Sequence, residues 1–418
     1  MNVVRRSAAA LAAAAVIGAA APAVAASPSP SPSALPDGLY GTTDPKYDGV
    51  WRQSLALLAQ HETGVKPAAK AVDWLAGQQC ANGSFAPFRA DTGQACDAKT
   101  MVDTNSTAAA VQSLAALGGH DTATGKAVTW LKSVQNKDGG WGYTPGGPSD
   151  ANSTSVVIGA LAAVGEKPAQ ATKDGKSPYD ALLKLALPCT AGGKDAGAFA
   201  FQPDKKGKLA ANADATAAAV VGALGKGLTG AATKPTGTDP TCKGSPDAEQ
   251  AADNGAAYLT TALAKTKHLT SAMPGAKPQP DYGNTADAVL ALATAGQGDK
   301  AAGALGWLQA NSGPWAKASG PAAYAELILA AKAAGADVHD FGGQDLVEQL
   351  NATGPKPASV SASTAPADST KAGKEDKEDK EDSAKKDDGS PFGVWWIVGV
   401  CLVAGIGVGF LLSVRNKR

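Results

Sequence analysis

Asp103-Thr104-Asn105-Ser106-Thr107 leads into Ala108-Ala-Ala-Val-Gln-Ser-Leu-Ala-Ala-Leu117 and stops at Gly118. The pattern returns as Asp150-Ala151-Asn152-Ser153-Thr154, followed by Ser155-Val-Val-Ile-Gly-Ala-Leu-Ala-Ala-Val164 and Gly165. A third copy opens Asn212-Ala-Asp214-Ala-Thr216 and is read to Gly227, and a fourth keeps Asp281, Thr285 and Gly296 at the same spacing. A degenerate copy carries Tyr324 and Gly335, and an opening copy runs from Asp48 to His61 with Trp51 in the threonine place. Self-similarity of this kind marks a repeat architecture. Each run is small and apolar nearly all round, as expected of a helix buried on most faces. The polar residues at its start are N-cap types and the closing glycine is a C-cap type.

Helices of a second character are predicted between these runs. Lys66 to Gln79, Thr124 to Gln135 and Gly298 to Gln309 share a Trp-Leu pair on an amphipathic pattern: Trp74-Leu75, Trp130-Leu131 and Trp307-Leu308. Tyr258-Leu259 and Leu182-Leu183 fill that slot in two more, and a short sixth spans Gln344 to Leu350. Amphipathic helices alternating with fully apolar ones imply an inner ring wrapped by an outer one. Six of each predicts an all-α chain folded as an α6/α6 toroid over residues 47–353. An open solenoid would need more repeats and capping units.

The loops after the outer helices carry a motif. Gln78-Gln79-Cys80-Ala-Asn82-Gly83-Ser-Phe85 and Gln135-Asn-Lys-Asp138-Gly139-Gly140-Trp141-Gly142 resemble the Gln-x-x-Asp-Gly-Gly-Trp repeat of the prenyltransferase and squalene-cyclase superfamily. The resemblance runs from about Val50 to Gly335 and implies structure; it does not transfer a chemistry. Marks of the superfamily's catalytic branches are missing. There is no Asp-x-Asp-Asp acid and no Cys-Gly-Glu-Gln thioester, and His61, His120, His268 and His339 show no zinc-site spacing. Within the superfamily the chain looks most like the corrinoid carriers, transcobalamin and intrinsic factor, and related bacterial surface proteins. Val102-Asp103-Thr104 and Asp150-Ala-Asn152-Ser153-Thr154 carry that likeness, together with the count of six helix pairs and the cysteines. It departs from them in having no β-rich domain after the toroid, since Gly354 begins a different kind of sequence.

What this implies is a binding site where the inner helices begin. Parallel inner helices gather their N-termini at one opening, with unpaired N–H groups and about half a positive charge at each. Asp103, Asn105, Thr107, Asp150, Asn152, Thr154, Asp214 and Asp281 would rim that mouth, with Asn212 and Thr285, and Trp141 and Tyr143 would lie on the adjoining loop. One cap residue per helix suffices for stability, yet polar residues recur at alternate positions. A rim of caps alone and a rim that also binds ligand both fit this pattern. The expectation is a ligand-binding protein that does no chemistry, with no resident cofactor or metal and with a corrinoid as leading ligand. It would pass that ligand to a membrane transporter. A glycan-active envelope enzyme and a purely structural display module are the alternatives.

The ends of the chain predict where it works. Residues 1–26 combine Arg5 and Arg6, an apolar run from Leu11 to Ala21 and the small-residue site Ala23-Val24-Ala25, the form of a cleaved signal peptide. Residues 27–46 read as a Ser/Pro-rich linker. Residues 354–391, including Lys374 to Asp382, mix both charges with little hydrophobicity and read as a disordered tether. Residues 392–414 carry no charge and are long enough for a bilayer of roughly 30 Å. Trp395 and Trp396 stand at its start and Arg415, Lys417 and Arg418 follow in a cytoplasmic tail at 415–418. The domain would then be outside the cell, on a single-pass anchor. Its exported setting predicts that Cys80 pairs with Cys96 and Cys189 with Cys242. The 38 basic and 38 acidic residues balance, and their scattered placement argues against a nucleic-acid partner.

Overall fold

The computed structural model describes residues 35–244, 247–271 and 277–358. The predicted signal peptide, most of the tether and the apolar span at 392–414 lie outside these. Among the described residues no helix is long and apolar enough to cross a membrane.

Six helices form a closed inner ring: α1 (Gly49–Glu62), α3 (Thr104–Leu117), α5 (Ala151–Ala163), α7 (Ala213–Ala223), α9 (Tyr282–Thr294) and α12 (Pro321–Ala333). Each packs on the next in that order and α12 packs back on α1, so the ring is complete. The outer helices are α2 (Ala69–Gly77), α4 (Asp121–Ser133), α6 (Pro178–Leu185), α8 (Ala248–Leu263), α10 (Gly298–Asn311) and α13 (Leu346–Ala352). They turn Leu75, Leu131, Leu182, Leu259, Leu308 and Leu350 into the seam with the inner ring. The α6/α6 toroid follows from the alternation of burial patterns, as the repeat implies. Two elements add to it: a short helix α11 (Gly313–Ser319) before α12, and a hairpin of β1 (Leu269–Ser271) with β2 (Gln279–Asp281) before α9.

One bonding scheme recurs where each motif loop meets the next inner helix. The backbone N–H of Phe85, Trp141, Phe199 and Leu269 donates to the hydroxyl of Thr107, Thr154, Thr216 and Thr285, at 2.8–3.1 Å. The cap residues Asp103, Asp150 and Asn212 return an N–H to the carbonyls of Phe85, Trp141 and Phe199. The motif's Gln135 clamps the loop by donating to the Gly139 and Ala171 carbonyls. Gly139 has φ +92°, and a Cβ there would lie 2.2 Å from the Ser177 carbonyl oxygen, so glycine alone fits. Trp141 is buried and donates its indole N–H to the Leu131 carbonyl at 2.7 Å.

The register differs from the sequence reading in two copies. Asp48 stands at the N-cap of α1, which puts Arg52, not Trp51, four residues on in the threonine place. Arg52 is buried there and donates to Thr43 and Asp48. The third inner helix ends at Gly225 (φ +66°), two residues before Gly227. The domain is also wider than 47–353. Tyr40 is wholly buried, its backbone N–H bonded to Gln53 and its hydroxyl reaching the Gln60 side chain and the Pro355 carbonyl. Residues 36–46 and 354–358 therefore belong to the fold, because the two strands of chain close over the same buried ring.

Both predicted disulfides are present, with Cα separations of 5.6 Å for Cys80–Cys96 and 5.5 Å for Cys189–Cys242.

Candidate functional site

The ring encloses a bore with unequal ends. After α7 the chain turns back across the end where the inner helices finish. The N–H of Leu228 donates to Gln112 Oε1 of α3 at 2.8 Å, and Gln112 Nε2 donates to the Val156 carbonyl of α5. Gly227 passes so close to Gly159 that a Cβ on Gly159 would sit 2.5 Å from its Cα. The N–H of Ala231 then reaches the Thr294 hydroxyl of α9, on the far side of the ring from α3. Residues 227–231 thus plug the bore, leaving the N-terminal end as its one mouth.

The mouth sorts the predicted site residues into two groups. Asp103, Thr107, Asp150, Thr154 and Asp281 are buried and engaged in holding the fold. Asp103 and Asp150 cap α3 and α5 by accepting the Ser106 and Ser153 N–H groups at 2.6 and 2.7 Å. Asp281 caps α9 in the same way through Asn284. Trp141 is locked in the seam, and Tyr143 lies half-buried beside Asp103, its carbonyl accepting the Thr104 N–H. These residues position the mouth and are withdrawn from it.

Asn105, Asn152 and Asp214 form the second group. Each stands two residues past its cap, on consecutive inner helices, and Asn152 Nδ2 donates to Asp214 Oδ2 at 2.8 Å across the α5–α7 step. That bond shows which way this ring of positions faces. The amide oxygens of Asn105 and Asn152 are buried with no hydrogen-bond partner, and Asn105 as a whole is only 9% exposed. Native buried acceptors are almost always satisfied, so two orphans on one ring call for an explanation.

Two acids unremarked in the sequence complete the site. Asp287 of α9 and Glu326 of α12 stand six residues past their caps, inside otherwise apolar helices. Protein surrounds them and Asp214, yet all three retain some solvent contact, as a wet concavity requires. Burial holds the Asp287 carboxyl well above the carboxylate range, and the charges of Glu326, Asp214 and Asp281 push it further. Glu326 is raised by burial and by Asp281 and Asp214. Asp214 is raised by burial, against the bond from Asn152. Among the described residues no lysine or arginine pairs with these carboxyls. The signal was available: a charged residue in a helix buried on all faces is costly unless it meets water or a partner.

Gly283 takes the same ring step on α9 and leaves a notch. A Cβ there would lie 3.2 Å from Glu326 Oε2 and 3.8 Å from Trp315 Cζ2, so carboxylate and indole border one small space. From Trp315 a row of half-buried rings leads outward: Tyr282 stacks on it at 5.5 Å, Trp307 on Tyr282 at 5.0 Å, and His268 against Trp307 at 4.4 Å.

A toroid of this construction defines a class. Residues 51–186, the first three helix pairs, match the family described as the prenyltransferase alpha-alpha toroid domain. With the closed six-pair ring, this places the chain in the α/α-toroid superfamily. No curated protein matches it. Among solved structures it is similar to ent-copalyl diphosphate synthase from Streptomyces platensis, at 16% identity and TM-score 0.46, covering 69% of this chain and 50% of that one. It is also similar to a sugar epimerase from a ruminal bacterium, at 13% identity and TM-score 0.41, covering 64% of this chain and 78% of that one. A protein from Actinoplanes matches at 16% identity and TM-score 0.31, covering 68% and 99%. The chain therefore spans half the length of the copalyl diphosphate synthase.

Proposed function

We propose that the domain is a receptor for a small ligand, taken up at the open mouth and held on the ring of Asn105, Asn152 and Asp214. It works outside the cell, tethered through the apolar span at 392–414, and hands its ligand to a membrane transporter. The observation that carries the reading is the pair of buried, unpartnered amide oxygens at a blind opening. An unmade buried hydrogen bond costs about 1–3 kcal/mol, which a ligand's N–H or O–H would recover. A bore plugged at one end suits capture and release by one route, and a channel would need both ends open.

A corrinoid is the first ligand to try, because of the resemblance to corrinoid carriers and because its rim of primary amides supplies N–H donors. The test is co-elution of cobalamin absorbance with the full chain in gel filtration. Asn105→Ala with Asn152→Ala should weaken binding by about tenfold per site. Free cobalamin eluting apart from the protein would end the corrinoid reading. A second reading rests on the repelling pair Asp287 and Glu326: carboxyls that hold a proton near neutral pH can pass it to a bound molecule. Conversion of a bound ligand, lost in Glu326→Gln, would make the receptor an enzyme; recovery of unchanged ligand from both proteins would exclude it.

A further inference from the structure

Resting on the mouth as the binding site, we propose that its ligand is a small organic cation. Asp214, Asp287 and Glu326 take the charge, and Trp315 and Tyr282 take the apolar part. Three consecutive inner helices, α7, α9 and α12, contribute one carboxyl each, with the cap Asp281 close enough to repel them. No described basic side chain neutralises them. The facing arc, on α3 and α5, offers the unpartnered oxygens of Asn105 and Asn152, so unsatisfied acceptors lie on both sides of the mouth. Such a set matches a ligand that donates and carries positive charge.

The geometry separates the classes of cation. Among the described residues no group of three or more His, Cys, Asp or Glu side chains is placed to share a metal ion. Carboxyls spread over three helices instead span a molecule, with room for several N–H donors or a bulky ammonium group. The Gly283 notch joins Glu326 Oε2 to the Trp315 ring, setting an aromatic surface beside a carboxylate. Cations favour that combination, because the ring face adds its quadrupole to the carboxylate's charge. The plug at 227–231 limits the occupant to what fits from one side.

Benzyltrimethylammonium, a permanent cation with one ring, tests this against uncharged benzyl alcohol and against magnesium ion. The full chain is titrated with each, reading tryptophan fluorescence and the heat of binding. A saturable response to the ammonium compound, absent with the alcohol and with magnesium, is the expected result. Glu326→Gln and Asp287→Asn keep the side-chain shape and should each weaken that response by at least about tenfold, with the melting temperature unchanged or raised. Gly283→Leu fills the notch and should abolish it, whereas Lys132→Ala on α4 should leave it intact. No saturation by the ammonium at millimolar concentration, equal binding of the alcohol, or full affinity in both acid variants would each overturn the cation. If the alcohol binds and Asn105→Ala weakens it, the mouth remains the site and only the ligand class is wrong. If neither Asn105→Ala nor Gly283→Leu alters the binding of any probe, the mouth falls as well.

Discussion

Asp103→Asn isolates a pH dependence that the fold builds in. Asp103 is 2% exposed; one oxygen accepts the Ser106 N–H and the other is buried without a partner. Burial pushes its carboxyl from 3.8 up to about 7, and Asp150, its counterpart on α5, up to about 6. Both folded values lie above those of the unfolded chain, so the folded state keeps a proton that the unfolded state releases near pH 4. Their contribution is fully present below that pH and is lost as pH rises through about 6 and 7. Between pH 5 and pH 8 the loss is about 2.6 kcal/mol for Asp103 and about 1.4 for Asp150, about 4 together. At about 2.1 cal/mol/K per residue over roughly 320 residues, that is a Tm lower by about 6 °C at pH 8. The raised carboxyls of Asp214, Asp281, Asp287 and Glu326 add in the same direction. The lowered ones, including Asp97, Asp204 and Asp345, act only below about pH 4. Asparagine keeps the acceptor for Ser106 and cannot ionise. Differential scanning calorimetry of Asp103→Asn should show the pH 5 to pH 8 fall shrink by about 4 °C. An unchanged slope in the variant, or a wild-type Tm that rises with pH, would refute the reasoning.

Thr154→Val strands the buried Trp141 N–H and should cost about 1–3 kcal/mol in denaturant unfolding, with Thr154→Ser restoring most of it; a neutral valine would show that the repeated threonine is dispensable. Reduction of the disulfides, which span 16 and 53 residues, should remove about 3 and about 4 kcal/mol and lower the Tm without unfolding the domain outright. An unchanged Tm on full reduction, checked by thiol labelling, would contradict their structural role. Protease added to intact cells should release the domain by cutting between residues 359 and 391, and cleavage there only after lysis would reverse the proposed orientation.

Most of what the sequence determined here is local or periodic. A cap acts within four residues of the helix start and a burial pattern repeats every few residues, so Asp103, Asp150 and Asp281 could be assigned as caps without coordinates. The alternation of two helix types implied two rings for the same reason, and exported cysteines bracketing loops implied their pairing. Which side of an inner helix faces the bore was beyond that reasoning. A helix apolar on every face has no stripe to show its orientation, so caps, the structural threonines and bore residues looked like one rim. Tertiary packing separated them, turning Thr107 and Thr154 onto the loops and Asn105 and Asn152 inward. It alone brought Asp287 and Glu326 together from different helices, bent residues 227–231 onto Gln112, and closed Pro355 over Tyr40. Each of these joins residues far apart in the chain, and ring closure, which sequence periodicity does not encode, sets their distance in space.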